Sequence, residues 1–503
     1  MSSTAGSRPA EPVLSERQLW TALWSLVVGF FMILLDTTIV SVANPAIMRG
    51  LGLGSDYGGV IWVTSSYLLA YAVPLLVTGR LGDRFGPKRM YLLGLVVFTL
   101  ASAWCGLSGM MPGGGLAMLV VARAVQGLGA SLISPQTMSI ITRIFPPERR
   151  GAAMAVWGSV AGIAGLVGPI LGGVLVDALG WEWIFFVNVP IGIAAFVAAS
   201  RLLPRLATHP HKFDVPGMVL FMVGMFAIVF ALQEGNTYDW GPIVGPIPVW
   251  GLIVAGVAII AVFVVWQAVQ KGEPLLPLPL MRDRNFALAN TAISAVGFAA
   301  TCMSLPLIFY LQTVRGLTPT QGALLLAPSA ILSALMARTA GRLVDRVANV
   351  RVLTVPGLVA YVLGIVWYAS LMGAETPLWL FLLPATLLGL GGSFMWGPIS
   401  TTANRSLPPR WAGAGAGVFN TTRQLGAVLG SASIAALMEI RIAAHLPGAG
   451  ASTGVSNGTV LPEAVRAPFS AAMAESILLP AGVLVVAIVA TAFFVPPPHR
   501  RGQ

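Results

Sequence analysis

Fourteen apolar stretches, each about the length of the twenty residues a helix needs to cross a bilayer core, run through this 503-residue chain. They fall at 20–43, 58–78, 90–108, 115–137, 152–176, 183–200, 215–233, 248–269, 286–310, 319–338, 352–371, 377–400, 413–437 and 476–495. A soluble core of that size would need a polar coat, and the chain has none. Its 29 Lys and Arg with 18 Asp and Glu make 9% charged residues, against roughly 25% in soluble domains. The pattern predicts an all-α integral membrane protein with 14 transmembrane spans. Residues 1–19 form a polar tail, and the apolar run from Trp20 is too long for a cleaved leader and has no small-residue cleavage site. Cys105 and Cys302 sit inside apolar runs and suggest neither a disulfide nor a metal site.

The net charge of +11 does not predict a nucleic-acid partner, because Lys and Arg come in twos to fours between apolar runs instead of clustering on one face. Twenty-three of the 29 fall in the tails and the loops that follow even-numbered spans. Arg49, Arg315, Arg441 and Arg466 fall on the opposite side, and Arg123 and Arg423 lie inside spans. The imbalance orients the chain with both termini in the cytoplasm, as a multi-pass protein of the cell's inner (plasma) membrane.

The chain also repeats itself. Gly79-Arg80-Leu81-Gly82-Asp83-Arg84 returns 262 residues later as Gly341-Arg342-Leu343-Val344-Asp345-Arg346. At the same offset Gly127-Leu128-Gly129-Ala130-Ser131 returns as Gly389-Leu390-Gly391-Gly392-Ser393, and Gly168 as Gly430. Transporters are often built from duplicated helix sets. The expected halves are an N-terminal six-helix bundle, 20–200, and a C-terminal one, 285–495, with 201–284 as a linker holding two inserted spans and 496–503 as a C-tail. Two related bundles face to face define a central cavity, and that predicts transport.

Asp36 is the acidic residue well inside a span, in Leu34-Leu35-Asp36-Thr37-Thr38. A carboxylate at that depth costs a few kcal/mol or more unless it is paired, protonated or facing a cavity. Counting 1.5 Å per residue from the span ends puts Arg123 of span 4 at similar depth. The positions 262 residues on are Phe298 and Ala385, so the second half lacks both charges. A purely structural pair would be expected in both halves, which favours proton coupling or binding of a substrate cation at Asp36 and Arg123.

Gly79 to Arg89 is read as a cytoplasmic loop in which glycines permit close helix approach and Asp83 caps a helix N-terminus or pairs with an arginine. With its repeat, it predicts a gate latch of Gly79, Asp83, Arg84, Gly86, Arg89, Gly341, Asp345 and Arg346. Span 5 carries Gly165, Gly168, Pro169, Gly172 and Gly173, a small-residue strip suited to a hinge. Arg423 in span 13, beside Asn420, either lines the cavity or anchors its bundle, and Glu234 reads as a rim carboxylate. Trp62, Tyr67, Gln126, Phe298, Tyr310 and Gln312 offer aromatic and amide contacts to a substrate, with lipid-facing packing as the alternative for each.

These motifs resemble a known family. Gly79-Arg80-Leu81-Gly82-Asp83-Arg84-Phe85-Gly86-Pro87-Lys88-Arg89 looks like the major facilitator signature between spans 2 and 3. Arg123 to Ala130 (RAVQGLGA) resembles its span-4 motif, and Gly165 to Gly173 (GLVGPILGG) its antiporter motif. Leu35-Asp36-Thr37-Thr38-Ile39-Val40 and Trp181 to Pro190 (WEWIFFVNVP) narrow the resemblance to fourteen-span drug/proton antiporters of the EmrB/QacA type. The chain departs from that pattern at Ala43-Asn44-Pro45, where Ala-Leu-Pro is usual, and at Glu182, where an arginine is usual. The resemblance implies a major facilitator fold of two six-helix bundles plus two inserted helices, and proton coupling at Asp36 and Arg123. It also implies multidrug export of hydrophobic or cationic small molecules, driven by a proton gradient without a further cofactor, by a monomer in the lipid bilayer.

An exporter of an endogenous lipid, metabolite or siderophore would share that mechanism. A membrane enzyme would need ionisable residues clustered near one face, yet His209, His211, His445 and His499 all fall in expected loops or tails. No P-loop pattern occurs. A sensor would have no use for a duplicated latch.

Overall fold

A computed structural model describes residues 14–52, 57–111, 115–146, 149–208, 214–235, 238, 240–244, 247–270, 274–347, 349–405, 407–408, 411–446 and 461–496. The N-terminal helices are α1 (Glu16–Gly50), α2 (Tyr57–Ala72), α3 (Leu75–Phe85), α4 (Pro87–Leu107), α5 (Leu116–Ile144), α6 (Arg150–Leu179), α7 (Trp183–Phe186) and α8 (Asn188–Leu202). An inserted pair, α9 (Val215–Glu234) and α10 (Val249–Val269), is joined through the short antiparallel strands Pro242–Val244 and Ile247–Pro248. After α11 (Pro279–Arg282) come α12 (Arg284–Phe309), α13 (Pro319–Arg346), α14 (Arg351–Leu371), α15 (Leu382–Ser393), α16 (Trp396–Arg405), α17 (Ala412–His445), α18 (Glu463–Ser476) and α19 (Leu478–Ala492). Thirteen segments are long and apolar enough to span a membrane, and the bent pair α2–α3 makes fourteen.

Caps explain several helix starts. Ser15 with Gln18 and Thr318 with Gln321 form reciprocal capping boxes at α1 and α13, and the Asp283 side chain accepts from the Phe286 N–H at α12. Between α3 and α4 the chain turns at Gly86 with φ +97°, a backbone conformation open to glycine and strained for residues with a Cβ.

Three boundaries differ from the apolar runs. Residues 79–85, expected in a loop, are helical, because span 2 breaks at Pro74 and continues as α3 after a 46° bend. The stretch 438–475, which the apolar runs leave between spans 13 and 14, is not a single loop: α17 runs to His445 and α18 begins at Glu463. Glu463, Arg466 and Glu475 hide α18 from a hydrophobicity count, although its Phe469, Ala472 and Met473 are fully buried. The middle of that stretch, 447–460, lies outside the described residues, as do His209, His211 and His499. Span 12 is broken between α15 and α16 at Phe394-Met395.

Helices α1–α8 pack on one another, as do α12–α19, and the two sets meet where α6 runs against α13 and where α17 runs against α3 and α5. The inserted α9 packs on α10, α2 and α17, while α10 leaves Trp250, Val254, Val257 and Val265 exposed, as expected of a lipid-facing helix. The Asp214 carboxylate ties the pair together: it accepts from Gly217 N at 2.9 Å, Gln267 Nε2 at 2.6 Å, Gln270 Nε2 at 2.9 Å and Trp266 Nε1 at 2.8 Å.

Burial pushes the Asp214 carboxyl up, but these hydrogen bonds outweigh it and hold it below the ordinary carboxylate range. The depressed native value means its stabilisation is complete above the unfolded pKa of about 3.9 and drains as pH falls through the native one. Asp214→Ala is expected to cost about 1–2 kcal/mol locally at neutral pH. Hydrogen exchange at the start of α9 checks this: protection lost at neutral pH in the variant, and only on strong acidification in the parent.

Candidate functional site

Asp36 on α1 and Arg123 on α5 are both fully buried and form an ion pair, Arg123 Nη1 to Asp36 Oδ2, at 2.5 Å. Their helices bring partners to both Asp36 oxygens and to Arg123 Nε and Nη1. Gln126, one turn after Arg123, accepts from Arg123 Nη1 at 2.7 Å and donates through Nε2 to Asp36 Oδ1 at 2.9 Å. Asn188 Nδ2, from the start of α8, donates to the same Oδ1 at 3.1 Å. Ser102 on α4 accepts from Gln126 and Asn188 and donates to the Phe185 carbonyl at 2.9 Å. Arg123 Nε donates to the Val63 carbonyl, and its guanidinium lies 4.1 Å from the Tyr67 ring centroid. A buried charge pair survives only with such partners, since each ion costs several kcal/mol to desolvate.

Tyr67 and Gln126, expected along a substrate cavity, are thus part of the wall around the ion pair. Asn188 and Ser102 escaped the sequence reading; an Asn opening an apolar span was the available signal. Two residues after Asp36, Thr38 Oγ1 donates to the Ala164 carbonyl of α6 at 3.1 Å. A Cβ at Gly168 or Gly172 would strike Thr38 or Ile39, so these two glycines let α6 lie against α1. Gly173 faces Thr320 of α13, Gly165 has open space, and Pro169 lies inside the continuous α6; the five do not share one face.

The repeated motifs sit at the basic-loop end and bridge the bundles. Asp83 Oδ1 accepts from Gly413 N at 3.0 Å and Oδ2 from Ala414 N at 3.1 Å, capping the start of α17. Asp345 Oδ1 accepts from Gly151 N at 2.9 Å and Oδ2 from Ala152 N at 3.1 Å, at the start of α6. The offset of 262 relates Asp83 to Asp345, Gly151 to Gly413 and Ala152 to Ala414. The contact is therefore made twice, reciprocally, between the carboxylate of one half and the positive helix end of the other. Gly79 faces the Gly413 and Gly417 backbone, and Gly341 that of Gly151 and Ala152, at distances that leave no room for a Cβ.

The arginines expected in the latch stand apart. Arg89 and Arg346 are exposed, and Arg84 lies over Phe85. Asp83 pairs instead with Arg143 of α5 at 2.7 Å, with Arg80 at 3.9 Å. Arg80 Nε also donates to the Leu275 carbonyl, and Arg143 Nη1 to the Ala207 carbonyl, tying both linkers of the inserted pair to the latch.

The other cavity candidates are scattered. Trp62 packs on Phe230 of α9, and Tyr310 is buried near one end of α12 with its hydroxyl on the Gly373 carbonyl. Phe298 is half-buried on α12, its carbonyl under Gly430, and Gln312 lies in the π-turn that follows α12. Glu234, expected at a rim, is buried at 1% exposure, because α9 packs between α2, α10 and α17. Asn420 and Arg423 belong to a chain of contacts between the bundles: Arg423 Nη2 to Tyr71 Oη at 3.3 Å, Tyr71 Oη to Ser134 Oγ at 3.1 Å, and Ser134 Oγ to Asn420 Oδ1 at 3.2 Å. A cavity of about 80 Å³ lies between α6 and the C-terminal helices, lined in part by Ser159, Ser329, Ser333, Tyr361, Ser393 and Trp396. It touches neither Asp36 nor Arg423, and a drug-sized ligand needs roughly 300 Å³ or more.

Fourteen candidate spans, six in each of two bundles and two inserted between them, with a buried charge pair in one bundle and reciprocal latches between both, define a multi-pass membrane transporter rather than an enzyme. The chain belongs to the Major Facilitator Superfamily, whose sequence model matches residues 26–431. It is 52% identical over 484 residues to an uncharacterised transporter of that superfamily in Mycobacterium tuberculosis, covering 95% of this chain and 81% of the relative. It is 33% identical over 430 residues to the tetracenomycin C resistance and export protein of Streptomyces glaucescens, covering 85% and 77% of the two chains. The fold is shared with the proton:xylose symporter XylE, with a TM-score of 0.65 at 13% identity over 96% of this chain and 97% of that one.

Proposed function

We propose that the chain is a proton-coupled antiporter of the fourteen-span EmrB/QacA type, exporting hydrophobic small molecules by alternating access, with both termini in the cytoplasm. The observation that carries the reading is the buried Asp36–Arg123 pair, present in the first half and replaced by Phe298 and Ala385 in the second. A carboxylate that takes a proton loses its charge attraction to Arg123, so loading and release at Asp36 would remake the contacts of Gln126, Asn188 and Arg123. Two helices carry that change to the latch. α6 contacts Asp36's neighbours at Thr38 and Ile39 and ends on Asp345, while α5 bears Arg123 at one end and Arg143 at the other. Export is supported by the similarity to the tetracenomycin C export protein. Proton flux supplies the energy in this reading, and no further cofactor takes part.

The test is a pH measurement in proteoliposomes. With a pH-sensitive dye trapped inside and a proton gradient imposed, adding tetracenomycin C or ethidium is expected to speed proton movement in the direction opposite to the drug. Drug movement down its own gradient with no proton movement would overturn the coupling.

A further inference from the structure

The export reading leaves open what charge its substrate carries, and Arg423 bears on that. It sits on α17 within a membrane-spanning helix, with its Nε buried and without a hydrogen-bond partner. Its guanidinium has one polar contact, the long 3.3 Å approach to Tyr71 Oη of the opposite bundle. Among the described residues no carboxylate lies within 4.0 Å of it; Asp36 is taken by Arg123, Asp83 by Arg143 and the α17 N-terminus, and Glu234 of α9 is outside that distance. α12 packs closely on the α17 backbone here, since a Cβ at Gly297 would strike the Arg423 carbonyl. The Tyr71 contact places the cation at the seam between the bundles.

An arginine stays protonated at any accessible pH, and in a membrane it either pairs or faces a water-filled path. Here, among the described residues, the structure supplies the charge without its counter-charge. Tyr71, Ser134 and Asn420 continue the same seam with hydroxyl and amide groups, and the Tyr67 hydroxyl beside Tyr71 is buried without a partner.

We propose that Arg423 is the docking point for an anionic group of the transported molecule, a carboxylate or ionised phenol on an aromatic body, bound between Tyr71 and Asn420. The proposal rests on the export reading and narrows it to anions over cations. A physical consequence is that an anion leaving while a proton enters moves charge twice in the same sense, so a negative interior drives both.

The experiment uses full-length protein in proteoliposomes with carboxyfluorescein as the anionic probe and ethidium as the cationic one. Wild type is expected to move carboxyfluorescein faster than ethidium. Arg423→Gln should raise the KM for carboxyfluorescein about tenfold or more, as loss of a charged hydrogen bond would, with Arg423→Lys restoring most of it. Preference for ethidium, or an unchanged KM in Arg423→Gln, overturns the proposal while leaving export intact. If Arg423→Gln does not fold, the wild-type ranking of the two dyes decides. If neither dye moves and a proton gradient is unaffected, the export reading fails. Equilibrium binding of carboxyfluorescein in nanodiscs then decides the anion site: binding weakened in Arg423→Gln and largely kept in Arg423→Lys supports it, and no binding to wild type, or unweakened binding in Arg423→Gln, overturns it.

Discussion

Asp36→Asn is expected to leave downhill exchange of substrate in place and to remove the part driven by an imposed proton gradient, a fall on the order of 100-fold in concentrative transport. The substitution is nearly isosteric. Its carbonyl can still accept from Arg123, but its amide cannot accept from Gln126 or Asn188, which both donate to Oδ1 in the parent. It also leaves Arg123 charged and buried at 0% exposure with no counter-ion. Breaking a buried pair from one side costs about 3–5 kcal/mol. A lower thermal midpoint should therefore accompany the transport defect. The double variant Asp36→Asn/Arg123→Gln removes both charges and should recover stability without recovering coupling. Concentrative transport surviving in Asp36→Asn would show that the proton is carried elsewhere.

The second large effect lies at the latches. Asp83 and Asp345 each accept two backbone N–H groups from the opposite bundle, and hydrogen bonds to a charged group are worth about 1.5–3 kcal/mol each. With non-additivity, neutralising one carboxylate is expected to shift the balance away from this closed arrangement by about 2 kcal/mol, and both by about 4, close to a thousandfold change in population. Spin labels at the exposed positions 89 and 346 read the separation of the bundles at that end. Asp83→Asn/Asp345→Asn should lengthen and broaden the distance, each single variant should do so in part, and Arg143→Ala should resemble Asp83→Asn. An unchanged distance in the double variant would show that glycine-mediated contact alone, at Gly79 and Gly341, holds the bundles together.

Much of this molecule is legible along the chain. The spans follow from apolar length, and the 262-residue repeat placed Asp83 and Asp345 in equivalent positions before any contact was known. The Asp36–Arg123 pairing followed from depth along two antiparallel spans. Span 2 and the region before span 14 were misjudged because a hydrophobicity count stops at charges: in α3 Arg80 and Asp83 are buried among polar partners, and in α18 the charges share a helix with a buried apolar face.

Sequence by itself determined the number of spans, the duplication and which charges lie at membrane depth, because bilayer thickness and the cost of a buried charge act on each segment separately. Beyond the Asp36–Arg123 pair, tertiary structure alone decided the partners. Asn188 reaches Asp36 across 152 positions, Gly413 donates to Asp83 across 330, and the expected latch arginines yield to Arg143. A hydrogen bond requires atoms within about 3 Å of each other, and that proximity is fixed by how helices from distant parts of the chain pack, which no local pattern encodes.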